Sequence, residues 1–183
     1  MDALSAMKKR VAVREFLPKQ ISDEDITTIV DAGLNAATSM NRQSWFFTVV
    51  QHSETLKAIS GAVGYKLIES EIPSLVERAQ SSGFSSFHHA PTVIFISSDH
   101  SRYSLADCAN AAQNMCNAAT ALNIGSCYIS SFVQALDHPS LRSVIEKFDL
   151  PEGYRPTFAV ALGYPAHQPQ KKERKWKVSY IKE

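Results

Sequence analysis

The sequence predicts a mixed helix-and-strand fold built around one buried helix. Three observations carry that prediction. Leu105 to Leu122 contains no Gly or Pro and is richest in Ala. Trp45 to Gln51, Pro91 to Ser98 and Pro156 to Leu162 are short runs of β-branched, aromatic and other apolar residues, as strands are. Between them lie segments with apolar residues at helical spacing, such as Ser22 to Ala36.

Ala, Leu and Met favour the helix, so propensity and pattern agree over Leu105 to Leu122. At 1.5 Å per residue this helix spans roughly 27 Å. Small or apolar residues take nearly every face, and its only charge is Asp107 in the first turn. A helix apolar all round is normally buried on all sides, which in a chain of 183 residues points to a subunit interface. Read alone, the stretch is better taken as a core helix without chemistry. Asn123-Ile124-Gly125 stops it, with Gly125 suited to a left-handed cap, and Ser126 to Ile129 reads as a short strand.

Length and composition set the bounds. The chain is read as one domain, 1–183, long enough to bury roughly 70% of its unfolded surface without a disulfide or metal staple. Lys and Arg number 19 against 18 Asp and Glu, a net charge of +1, so nothing draws it generally to nucleic acid or membrane. Met1 to Arg10 lacks the apolar core of a signal peptide, and no apolar run reaches a membrane span. Cys108 and Cys116 would lie about 12 Å apart along a helix, too far for a disulfide. With Cys127 they are expected as reduced core residues of a cytoplasmic protein.

In chain order, Asp2 to Lys9 forms a short helix. In the extended segment that follows, Arg10, Ala12 and Arg14 face one way and Val11 and Val13 the other. Two guanidiniums on one side make an anion clamp, or a solvated charged face. Ser22 with Asp25 resembles a capping box for the next helix. Ala37 to Ser44 is a polar loop whose Thr38, Ser39, Asn41 and Gln43 suit a neutral heterocycle, or simply a turn. Ser53 to Gly61 and Tyr65 to Gln80 read as two helices, the second kinked or broken at Pro73. Ser81 to His89 is a flexible loop; its Phe84 and Phe87 either cover a flat ligand or anchor the loop to the core. His88 and His89 lack metal-ligand spacing with other His, Cys or acids nearby, so no metal is expected. Pro139 to Phe148 reads as a helix. The tail from Ala166 is polar and extended, with Lys171, Lys172, Arg174, Lys175 and Lys177.

No GxSxG, HExxH, Walker or GxGxxG motif is present in the sequence. A bound phosphate would need side-chain cations, which cluster at the two ends: Arg10 and Arg14, then Lys172 and Arg174. Missing acid, base and nucleophile constellations favour cofactor chemistry or plain binding.

Four stretches, in order, resemble the nitroreductase family of FMN-dependent oxidoreductases. Arg10-x-Ala12-x-Arg14-x-Phe16 resembles RxSxRxF, and Ala37 to Trp45 resembles PSxxNxQPW. Ala90-Pro91, then Asp107 to Ser126, resembles the strand and DxxxAxxNxxLAAxxLGLGS helix. Pro151 to Pro156 with Gly163-Tyr164-Pro165 resembles the last strand. The resemblance implies an α+β fold, a central, mostly antiparallel sheet flanked by helices, in an intertwined homodimer with FMN at each interface. It implies that Arg10, with Val11 and Ala12 beside it, meets the phosphate and that Arg14 reaches the ring edge. Lys172 and Arg174 would add to the phosphate site. Thr38, Ser39 and Asn41 would reach the flavin of the other subunit. Tyr128, Ile129, Ser130 and Ser131 would pass along the ring, with the Ser130 N–H near N5. Phe84 and Phe87 are the expected substrate contacts, and no side chain is expected to act as catalyst. The implied activity is ping-pong transfer of a hydride from NADH or NADPH, through flavin N5, to a small-molecule acceptor such as a nitroaromatic or quinone. The alternative is a flavin-binding or bare-fold protein without turnover, because Ala12, Ala37, Thr38 and Ser44 depart from the family pattern.

Overall fold

The computed structural model describes residues 1–182. Its centre is a four-stranded antiparallel sheet of order β1-β2-β4-β3, with β1 Trp45–Val50, β2 Thr92–Ser98, β3 Gly125–Ile129 and β4 Arg155–Gly163. The architecture is α+β, as the sequence implied. β2 and β4 are the inner strands, and period-2 alternation sends their side chains to two different cores. Val93, Phe95, Ala159 and Ala161 face a core closed by α3 (Ser53–Glu69). Ile94, Ile96, Val160 and Leu162 face a core closed by α2 (Asp23–Leu34) and α5 (Ser104–Ala121). Burial on both faces explains why Pro91 to Ser98 reads as a continuous apolar run rather than an alternating one. The β2–β4 register shifts between Ile96 and Ser97, opposite Pro156, which has no N–H to give the ladder.

Local signals set most boundaries. Asp2 accepts from Ser5 N at 3.0 Å and caps α1 (Ala3–Lys9). Ser22 Oγ accepts from Asp25 N at 3.1 Å and caps α2. Three expectations need correction. The helices expected on either side of Gly61–Gly64 are one helix, α3, because Ile59, Ala62, Val63 and Leu67 bury a continuous stripe through both glycines. The break falls at Pro73, the first residue of α4 (Pro73–Gln80), where a missing N–H costs nothing. The helix expected from Pro139 to Phe148 is a 3-10 turn, Pro139–Leu141, and a short α6, Arg142–Glu146. The left-handed residue that ends α5 is Asn123 (φ 60°), while Gly125 already belongs to β3.

Within one chain α5 is not covered all round. Ala111, Ala112, Met115, Cys116 and Ala119 are buried, but Leu105, Ala106, Asn110 and Gln113 form an open stripe. All three cysteines are free and buried. No helix among the described residues is long and apolar enough to cross a membrane.

Candidate functional site

The segment after α1 is tied to the end of the sheet. Val13 N donates to Ser126 O at 2.9 Å, and Ala12 bridges Ser126 in the parallel sense. Leu17 N donates to Tyr164 O at 2.8 Å, and Ala166 N to Glu15 O at 3.0 Å. Gly125 permits this close approach, since a Cβ there would stand 2.9 Å from Val13 Cγ2 and 3.0 Å from Pro165 Cγ. Val13 is buried, so alternation turns Arg10, Ala12 and Arg14 to the other side, Arg10 half-buried and Arg14 exposed.

Both guanidiniums lie alongside β3. Burial pushes the Cys127 thiol up, and the charges of Arg14 and Arg10 oppose that rise. Burial likewise raises Cys116, opposed by the nearby Ser126 hydroxyl and the charge of Arg10. Half-buried His88 shares Arg14's surroundings. Burial first, then Arg14, Arg78 and His89, hold its imidazole below the ordinary value. The sequence reading weighed His88 only as a metal ligand and set it aside; its place between a loop aromatic and a buried strand was the available hint.

At the exit of β3, Tyr128 is exposed, its ring 5.0 Å from Phe158, and burial is the main cause pushing its phenol up to about 12. Ile129 is buried and makes the last ladder pair, with Ala159. Ser130 and Ser131 are exposed beyond that pair, where the chain turns into a 3-10 helix, Ser131–Ala135. Val11, half-buried, faces away from the arginines.

The polar loop folds as a 3-10 turn, Ser39–Asn41, with Met40, Asn41 and Gln43 left-handed at φ 53°, 53° and 52°. Thr38 Oγ1 accepts from Gln43 N at 3.4 Å, which leaves its own hydrogen to donate. Gln43 Nε2 donates to Asn41 Oδ1 at 3.2 Å. Ser39 N donates to Asp107 Oδ1 at 3.1 Å, so the loop sits at the first turn of α5. The arginine segment instead bonds Ser126, just past the other end of α5. The helical rise from Asp107 to Cys116 is roughly 13 Å. One chain therefore does not bring Thr38, Ser39 and Asn41 together with its own arginine segment.

In the tail, Lys172 and Arg174 are exposed. Lys171 Nζ donates to Lys8 O, which lays the start of the basic stretch beside the segment leading into Arg10. Of the two loop aromatics, Phe87 takes the anchoring role. It is 1% exposed, with its ring 5.4 Å from Phe95 and 6.0 Å from Phe132, yet it still borders the cavity beside the loop. Phe84 is half-buried, with the Arg78 guanidinium 5.9 Å from its ring centre. It lines a cavity of about 460 Å³ with Phe87, Gln20, Gln51, Leu56 and Pro91.

The model of the nitroreductase family matches residues 7–164. A nitroreductase from Bacteroides fragilis, solved with bound FMN, superposes with a TM-score of 0.87 at 32% identity, over 100% of this chain and 98% of its own. A second, from Desulfitobacterium hafniense, also solved with bound FMN, gives a TM-score of 0.90 at 27% identity and covers 100% of both chains. The FMN reductase (NADPH) of Bacillus subtilis is 28% identical over 169 residues, 89% of this chain and 66% of that relative.

Proposed function

The chain belongs to the nitroreductase family, and on that premise we propose that it is an FMN-dependent oxidoreductase drawing electrons from NADH or NADPH. The observation that carries this reading is the docking of Arg10 and Arg14, on one side of an extended segment, along β3. The donor set fits FMN. Guanidiniums suit a phosphate and an electron-rich ring edge, and the Thr38 hydroxyl and Asn41 amide suit a neutral heterocycle. Ala12 lacks a hydroxyl, a loss of about 0.5–1.5 kcal/mol, which charge-assisted contacts from two arginines offset.

When bound, FMN supplies two-electron redox chemistry between a nicotinamide and an oxidised acceptor. The chain binds and orients it. Arg10, with Lys172 and Arg174, holds the phosphate. Arg14 stands at the ring edge that gains negative charge. The Ser130 N–H, past the last ladder pair, would donate to N5, with Tyr128, Ile129 and Ser131 flanking the ring. Thr38, Ser39 and Asn41 reach the ring of the cofactor held by a second copy, because they lie away from the arginines of their own chain.

That second copy has surface to dock on. Beside the open stripe of α5, Leu4 and Met7 of α1 are exposed, as are Trp176 (79%) and Tyr180 (69%) of the tail. Exposed apolar side chains on these elements suit an interface, which a homodimer would cover. The finer reading is a ping-pong exchange in which the nicotinamide leaves before a nitroaromatic or quinone enters. Three free buried thiols suit the reducing cytoplasm.

Anaerobic titration tests this function. Protein loaded with FMN should lose its oxidised-flavin absorption on adding NADH or NADPH and regain it with a quinone or nitroaromatic. Bound FMN that neither nicotinamide bleaches would make the chain a flavin-binding protein without turnover.

A further inference from the structure

One face of α5 is tied to the loop that precedes β1. Asp107, Asn110 and Asn114 follow each other at three- and four-residue spacing, so they share a side of the helix. Each bonds a backbone group of the facing segment. Asn114 Nδ2 donates to Ala32 O at 3.1 Å, and Asn110 Nδ2 to Ala37 O at 3.1 Å. Asp107 Oδ1 accepts from Ser39 N at 3.1 Å. The three contacts climb the end of α2 and finish on the loop.

Asp107 is the unusual member. It is 3% exposed, and its second oxygen, Oδ2, has no hydrogen-bond partner among the described residues. A buried carboxylate is costly to keep where an apolar side chain would serve packing as well. The first turn of α5 offsets part of that cost, but the carboxylate serves the fold through a single hydrogen bond, from the Ser39 amide. That amide needs an outside tie. Met40, Asn41 and Gln43 all hold left-handed backbones, which L-residues adopt against a steric penalty. A loop so composed relaxes unless its ends are fixed.

We propose that Asp107 is a positioning residue for the cofactor: through the Ser39 amide it sets the register of the Thr38–Gln43 loop on α5, and so sets how tightly FMN is held. Asn110 and Asn114 extend the same tie along the helix. The inference rests on the FMN reading above. It also joins the cofactor loop to the helix whose open stripe meets the second copy, so loop position and subunit packing move together.

The test compares Asp107→Ala with Asp107→Asn, which keeps an acceptor for the Ser39 amide. Fluorescence titration of flavin-free protein should show FMN affinity about tenfold weaker in Asp107→Ala, the loss expected of one charge-assisted hydrogen bond. Asp107→Asn should stay within about threefold of wild type, as replacement by a neutral acceptor implies. In flavin-free protein, amide exchange should speed up over residues 38–44 in Asp107→Ala and stay at the wild-type rate over 92–98. Asn110 is exposed, so Asn110→Ala keeps the test open if Asp107→Ala does not fold; it should weaken FMN in the same direction. Equal FMN affinity of wild type and the alanine variants overturns the positioning role alone. So does Asp107→Asn as weak as Asp107→Ala, or faster exchange over 92–98 to the same extent as over 38–44. Wild-type protein that binds no FMN overturns the cofactor reading itself.

Discussion

Arg10 and Arg14 differ in setting although they share a side. Arg10 is half-buried at the end of α1, where its own N–H donates to Ala6 O at 2.8 Å. Arg14 is exposed and neighbours His88 and Cys127. Distinct settings imply distinct duties. Two-electron reduction adds negative charge at the ring edge, which a nearby guanidinium stabilises. For a two-electron couple, about 1.4 kcal/mol corresponds to about 30 mV. Arg14→Met should therefore lower the potential of bound FMN by tens of millivolts while FMN stays bound. Arg10→Met should weaken FMN retention and leave that potential nearly unchanged. Dye-coupled redox titration and equilibrium dialysis read the two effects. Loss of FMN with an unchanged potential in Arg14→Met would make Arg14 a phosphate ligand instead. At this scale the sequence was informative about charge and poor about burial. Alternation puts Arg10 and Arg14 on one side of their segment. It could not separate Phe84 from Phe87, because which aromatic reaches Phe95 and Phe132 depends on how the loop turns at His88 and His89, both left-handed at φ 55° and 56°.

Among the elements, the arginine segment depends on what it packs against. Gly125 and Gly163 each leave room that a side chain would fill. A Cβ on Gly163 would meet Phe16 Cδ1 at 3.0 Å and Pro91 Cδ at 2.8 Å. Gly125→Ala should push Val13 and Pro165 outward and destabilise the fold by about 1–3 kcal/mol, as overpacking does. FMN affinity should fall with it, since Val13 carries the backbone between the arginines. Thermal melts with and without FMN check both; unchanged stability and affinity would show that the segment yields freely. Strands and caps were legible because their signals are local: Ser22 with Asp25, Asp2 with Ser5, β-branched runs. The continuity of α3 was not, because Gly61 and Gly64 lower propensity while burial of Ile59, Val63 and Leu67 overrides it. The turn at Ser131–Ala135 was also missed; a single 3-10 turn shows no periodicity to read.

For the whole molecule, the site is split. Arg10 and Arg14 sit by β3, and Thr38, Ser39 and Asn41 sit at the far end of α5. An Ala-rich helix with an open stripe and a tail exposing Trp176 and Tyr180 supply the surface that a second copy would close. The packing of this helix into the core was legible in its composition. Its tie to the Ser39–Asn41 loop was not, because Asp107 and Ser39 are far apart in sequence and meet only in the folded chain. Sedimentation velocity, followed at both protein and flavin absorption, tests the shared site most directly. The expected result is one boundary at the mass of two chains, carrying FMN at one per chain. A folded single chain sedimenting with bound FMN, or a protein boundary free of flavin after incubation with FMN, would contradict it.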